Sequence, residues 1–395
     1  MGTASKQYQP HNKEVAMNRK HLIITGIRGI PARHGGFETF AEKLSLYLVS
    51  KGWKVTVYCQ EDTGEKIWES KWQGVDRIHI PISTSGALGA VIFDLKTAWH
   101  VKNKDALLLA LGYNTACFHV IQRLRGQTNL INMDGIEWRR QKWGIVAKTW
   151  FWLNERAGCF LGNHLIADHP RIKDHLATRI RKDKITMIPY GGDRVDKADV
   201  SNLEEFKLQP GSFSVVIARP EPENSFLEMV QAFSSTKRNH KLVVLGNFDS
   251  ENNAYHRRVV EAASDEVVFP GAIYDPAVVG ALRFFSKFYL HGHRVGGTNP
   301  SLVEALGAGC AVIAHDNEFN RWVAGDSACY FSGVDDCERV FDDLLPESYD
   351  NTDMKSGSRR EYETRLTWEL ILADYEELLV TWHPCKIAIT SELGS

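Results

Sequence analysis

In HGHRVGGTNPSLVEALGAG (291–309) the glycine pair Gly296-Gly297 precedes Thr298, then Asn299 and Pro300, a favourable N-cap and first helical residue. The helix that follows runs through Leu302, Val303, Ala305 and Leu306, interrupted by one carboxylate, Glu304. Glycines before a helix start let a ligand reach exposed N–H groups at the positive helix end. Glu304, one turn further in, accepts two hydrogen bonds at once, which suits a pair of ribose hydroxyls. A capping box from Ser301 to Glu304 is the alternative. In VVIARPEPENSF (215–226), Arg219 ends a strand-like run that two prolines prevent from continuing. A guanidinium there clamps a diphosphate bidentately, or serves as a surface ion-pair partner. GIRGIPARHGGFETF (26–40) closes on Gly35-Gly36 at a helix start, which fits a phosphate or else a tight strand-to-helix connection. It has neither Gly-x-Gly-x-x-Gly nor a Gly-Lys-Ser/Thr ending, so nicotinamide and ATP readings lack a motif. Asp134, in TNLINMDG (128–135), follows a strand and suits a general base or a group orienting a hydroxyl; an N-cap of a helix starting near Ile136 is the alternative.

Short apolar runs alternate with helical spacing and must carry these groups. HLIITG (21–26), KVTVYCQ (54–60), DALLLALG (105–112), TNLINMDG, NHLIADHP (163–170) and KITMIPYGG (184–192) read as parallel strands of one doubly wound sheet. The pattern restarts with SFSVVIAR (212–219), HKLVVLGN (240–247), DEVVFPG (265–271), SKFYLHGH (286–293) and GCAVIAHDN (309–317). Two Rossmann-like α/β domains joined near YGGDRVD (190–196) are the economical account. Helices are expected at 37–53, 223–236, 300–308 and, as one long element, about 359–381. Ligands of such sheets sit beyond the carboxyl ends of the strands, where all of these motifs fall.

The chain has 395 residues, 43% of them hydrophobic, and a formal charge of −2, so no global basic field recruits nucleic acid. Seven cysteines, Cys59, Cys117, Cys159, Cys310, Cys329, Cys337 and Cys385, form no Cys-x-x-Cys pair and read as reduced core residues. No apolar run reaches the roughly 18 residues of a membrane span, and the polar residues 1–18 read as a disordered leader rather than a signal peptide. The expectation is a cytoplasmic protein.

With these residues in place, GIRGIPARHGGFETF, NMDGIEWRRQKW (132–143), ARPEPENSF (218–226) and GGTNPSLVEALGAG (296–309) together resemble retaining nucleotide-sugar glycosyltransferases of family 4, with the GT-B fold. More narrowly, they are similar to a bacterial polysaccharide subgroup often described as rhamnosyltransferases. The resemblance covers about residues 20–382. It implies residues 19–192, with a terminal helix from about 366 to 395, as acceptor domain and 193–365 as donor domain. It also implies roles: Arg219 at the diphosphate, Glu304 on the ribose, the Gly35 and Gly36 amides on the phosphates, Gly271, Ile273 and Tyr274 around the base, and Asn224 as a further donor-binding residue. His293 and the loop Gly296, Gly297, Thr298 and Asn299 would face the donor sugar, with Pro300, Ser301 and Leu302 as further donor-binding positions; a buried strand-end histidine is the other reading of His293. Glu137 and Arg139 lie on the acceptor side. The sequence departs from the family where a glutamate is usual eight positions before Glu304, since Gly296 stands there. It departs again where Glu223-Asn224 replaces a lysine that usually partners the arginine.

The reaction implied moves a hexose from a nucleoside diphosphate sugar to a polysaccharide or lipid-linked acceptor, with retention and without cofactor or metal; Asp-x-Asp is absent. A uridine donor such as UDP-glucose is placed slightly ahead of dTDP-rhamnose, because a deoxyribose offers Glu304 only one hydroxyl. A sugar-nucleotide epimerase and a non-catalytic nucleotide-sugar-binding scaffold are the alternatives. Residues 119–185 hold 13 Lys/Arg against 6 Asp/Glu, and EWRRQKWGIVAKTWFWLNER (137–156) reads as a basic, tryptophan-bearing helix. It suits the inner surface of an anionic membrane, or else a solvated face with its tryptophans in the core.

Overall fold

The computed structural model describes residues 20–33 and 35–384. The leader at 1–18, Cys385 and the rest of the terminal segment lie outside the described residues.

Eight strands form the first sheet: β1 (His21–Thr25), β2 (Lys54–Glu61), β3 (Trp68–Trp72), β4 (Val75–Pro81), β5 (Leu107–Leu111), β6 (Asn129–Asn132), β7 (His164–Ala167) and β8 (Ile185–Met187). Their order is β3-β4-β2-β1-β5-β6-β7-β8, parallel except for the edge pair β3/β4. The second sheet is parallel throughout: β9 (Phe213–Ile217), β10 (Lys241–Leu245), β11 (Val267–Gly271), β12 (Tyr289–His291), β13 (Val312–His315) and β14 (Cys329–Phe331), in the order β11-β10-β9-β12-β13-β14. Burial explains the unbroken apolar runs. Every residue of Leu107–Leu111 is buried because helices cover both faces of a parallel sheet.

β3, β4, β14 and the helix Gly86–Val101 were not legible as such in the sequence. β3 is an edge strand with mostly exposed residues, so it lacks an apolar signature; its hairpin turn puts Gln73 and Gly74 at φ 46° and 85°. The expected long helix at 359–381 is instead two, Thr352–Arg365 and Trp368–Trp382. The break has a local cause. The Leu366 carbonyl accepts from Gly192 N at 2.9 Å, and the Thr367 hydroxyl oxygen caps the second helix by accepting from Leu370 N at 3.4 Å. Here the chain crosses from the second sheet back to the first. A Cβ on Gly191 would stand 2.6 Å from Trp368, so the crossing needs a bare backbone. Beyond it, Trp368, Ile371, Leu372, Tyr375 and Leu379 join the core formed by helix Gly36–Ser50 and β1. Of the described cysteines all six are free; Cys117 and Cys329 are only partly buried, whereas the other four are buried as expected.

Candidate active site

The loop after β12 is built to hold its backbone fixed. The His293 carbonyl accepts from both Asn317 Nδ2 at 2.9 Å and Asn320 Nδ2 at 2.8 Å, and the imidazole stacks on His291 with ring centres 4.3 Å apart. Burial, then the charges of Arg140 and Arg219, lower His293 to about 3, so its ring is neutral at ordinary pH. Gly296 follows at φ 143°, a conformation for glycine. The helix Pro300–Gly307 starts as read, with Asn299 Oδ1 accepting from Ser301 N at 3.0 Å. There is no capping box: the Ser301 hydroxyl bonds Asn299, and Glu304 Oε2 meets Arg283 Nη2 at 2.5 Å. Arg283, from helix Pro276–Phe285, orients Glu304; in the sequence it is one basic residue in an apolar helix and gave no signal.

From the other sheet, the first glycine loop arrives at the same place. A Cβ on Gly36 would stand 2.9 Å from Pro300 Cγ, so the helix starts at Gly36 and Pro300 face each other. A Cβ on Gly135 would lie 3.7 Å from Gly296. Asp134 therefore sits opposite the second glycine loop. It is not an N-cap: its φ is 50°, its N–H donates to Asn132 Oδ1 at 3.0 Å, and Ile136 precedes a short turn, Glu137–Arg139. Burial, then the neighbouring Glu137, raise its carboxyl to about 6.

Asp168, at the end of β7, is the residue the sequence reading missed, although it occupies the same strand-end position that singled out Asp134. Its Oδ2 accepts from Thr298 N at 3.2 Å, and the Thr298 hydroxyl donates to its carbonyl. Gly297 has no room for a Cβ, which would stand 2.2 Å from Asp168 Oδ1. Burial, then the Asp134 charge, raise Asp168 to about 7, so the two carboxyls titrate as a pair.

Arg219 is exposed at the end of β9; Asn224 Nδ2 holds its carbonyl at 2.8 Å, and no carboxylate pairs with it among the described residues. Its charge reaches both Asp134 and His293. Glu137 is engaged by Arg140 Nη1 at 2.8 Å and Trp143 Nε1 at 3.1 Å, so it positions neighbours, while Arg139 lies exposed with its guanidinium 5.2 Å from the Trp138 ring. Gly271 ends edge strand β11, and Ile273 and Tyr274 follow it; Ile273 packs on the cluster containing Leu302, and Tyr274 is 85% exposed. The segment 137–156 is not one helix: after the turn the helix runs Ile145–Leu161. Trp138 and Trp143 donate to Glu155 and Glu137, whereas Trp150 and Trp152 reach the surface.

A family profile described as a domain of unknown function, DUF1972, matches residues 19–193. No curated protein matches the chain by sequence. Among solved structures, sucrose-phosphate synthase from Thermosynechococcus elongatus is 14% identical, with 92% of this chain and 99% of that one covered at a TM-score of 0.74. HepE of Anabaena, in complex with UDP and glucose, is 12% identical over 92% of this chain and 100% of its own, TM-score 0.72. The UDP-forming α,α-trehalose-phosphate synthase from Burkholderia xenovorans, in complex with glucose-6-phosphate, is 12% identical over 91% and 100%, TM-score 0.68. Two sheets with their strand ends facing one crevice, matched over nine-tenths of the chain, show that this protein has the GT-B fold.

Proposed function

We propose that the protein is a glycosyltransferase that moves a hexosyl residue from a nucleoside diphosphate sugar to a polysaccharide or lipid-linked acceptor, with retention and without metal. The observation that carries this is the meeting of Gly36, Pro300, Gly296 and Asp134 in one crevice that Arg219 and His293 also face. Residues 193–365 take the donor; residues 19–192, with the terminal helix from about 366, take the acceptor. The anomeric carbon–oxygen bond breaks toward the diphosphate while the acceptor oxygen bonds on the same face, and its proton passes to the departing phosphate oxygen. Arg219 and the helix-end amides absorb the charge that develops on the diphosphate. Neutral His293 offers a hydrogen bond to the sugar without adding charge. Asp134 orients the acceptor hydroxyl.

A uridine donor of the UDP-glucose type is favoured over dTDP-rhamnose, on the two-hydroxyl argument for Glu304 and on the UDP ligands of the HepE structures. Thermal-shift measurements with UDP, dTDP and GDP sugars test the reading. A ligand at 100 times its dissociation constant adds about 2.7 kcal/mol of apparent stability. UDP-glucose is expected to raise the melting temperature most, and a flat response to all three classes defeats the proposal.

No helix among the described residues is long and apolar enough to cross a membrane. Helix Ile145–Leu161 nevertheless presents Ile145, Val146, Trp152, Leu153, Arg156 and Phe160 at helical spacing on one exposed face, the first two 84% and 85% exposed. That face supports peripheral contact with an anionic membrane carrying a lipid-linked acceptor. The protein should float with anionic liposomes at low salt, and Val146→Glu should reduce flotation several-fold; no flotation of the unaltered protein ends the membrane assignment.

A further inference from the structure

Around Arg219 the positive charges are distributed unevenly between paired and unpaired groups. Arg140 is fully engaged: its Nε donates to Glu223 Oε1 at 2.6 Å and its Nη1 to Glu137 Oε1 at 2.8 Å. Both carboxylates are buried. The Arg140–Glu223 contact spans the two sheets, because Glu223 belongs to the turn Pro222–Asn224 and Asn224 of that turn holds the Arg219 carbonyl. It therefore ties residues 140–143 to the end of β9. Trp143 is held as well, through its indole N–H on Glu137 at 3.1 Å.

Lys142 lies between these two anchored residues. Among the described residues no carboxylate pairs with its ammonium, which rests 4.7 Å from the Trp143 ring centre. Burial, then Arg140 and Arg219, depress its pKa, and the opposing pull of Glu137 and Glu223 does not cancel this. Thus the Arg140–Glu223 bond and the Asn224 hold on the Arg219 carbonyl bring the segment carrying Lys142 against the strand end carrying Arg219, and the ammonium feels the charge of that unpaired guanidinium. Such an arrangement is unfavourable until an anion enters, and one with two adjacent phosphates has enough charge and length to meet both.

We propose that Lys142 is a second cationic ligand of a nucleoside diphosphate, delivered by the opposite half of the molecule from Arg219. Arg140 and Glu223 act as positioning residues that set Lys142 against the Arg219 strand end. Donor binding then bridges the two sheets directly.

The inference rests on the nucleotide-sugar reading above, and titration calorimetry with UDP and UMP separates the two. Lys142→Met is expected to weaken UDP binding about tenfold and leave UMP within about twofold, with Lys142→Arg close to the unaltered protein. Arg219→Ala serves as the reference for loss of the site. If Arg219→Ala loses UDP affinity while Lys142→Met keeps it, Lys142 is not a ligand and the functional reading stands. Equal weakening of UDP and UMP in Lys142→Met makes the residue structural and overturns the inference. An unaltered protein that binds neither UDP nor dTDP overturns both proposals together.

Discussion

Asp134→Asn is expected to lower turnover by about 100-fold, the scale of a misplaced acceptor hydroxyl, while donor affinity stays within a few-fold. The pH dependence should change with it. Because burial and Glu137 raise the Asp134 carboxyl to about 6 and Asp168 lies at about 7, kcat/KM should rise with pH as the pair ionises and level off above it. In the asparagine variant that limb should shrink or vanish. Stability should move the opposite way. A carboxyl whose folded pKa is raised favours the folded state only while protonated, so its contribution is present below its unfolded value near 4 and is lost as pH climbs through the folded one. The same substitution should therefore raise the melting temperature at pH 8 and not at pH 4. Turnover and pH profile unchanged from the unaltered protein would remove Asp134 from the reaction.

The second large effect is expected at Arg219. Its guanidinium has no carboxylate partner among the described residues, and its charge already reaches Asp134 and His293. Arg219→Ala should reduce donor hydrolysis or transfer by about 100-fold or more, since it removes charge-assisted hydrogen bonds that strengthen as the diphosphate departs. The loss should appear in kcat as well as in KM, because stabilisation of the leaving group is greatest in the transition state. Arg219→Lys should recover only part of it, as an ammonium cannot reproduce the planar fork. A variant that keeps full turnover at saturating donor would place the diphosphate elsewhere. Melting temperature should hardly change, since the side chain is exposed at a strand end.

Much of the scaffold was legible because parallel strands buried on both faces leave continuous apolar runs. HLIITG, DALLLALG and HKLVVLGN each became strands within a residue or two. The glycine loops were legible for a related reason: a helix start that must stay open to an approaching surface tolerates no Cβ, and Gly36 and Gly297 both abut groups from the other half. β3 escaped because an exposed edge strand needs no apolar pattern. The two terminal helices read as one because their apolar spacing runs through the break at Leu366, which is caused by a hydrogen bond to Gly192, far away in sequence.

The sequence by itself determined the strand-and-helix alternation, the strand-end placement of Arg219 and Asp134, and the start of the helix that carries Glu304, since each follows from local periodicity and capping. Only the tertiary structure decided their partners. That Arg283 orients Glu304, that Asp168 meets the Thr298 amide, and that Arg140 reaches across to Glu223 are contacts between residues 21 to 130 positions apart. Such pairings leave no periodic trace. They depend on how two sheets come to face each other, and the electrostatics of the crevice depend on them in turn.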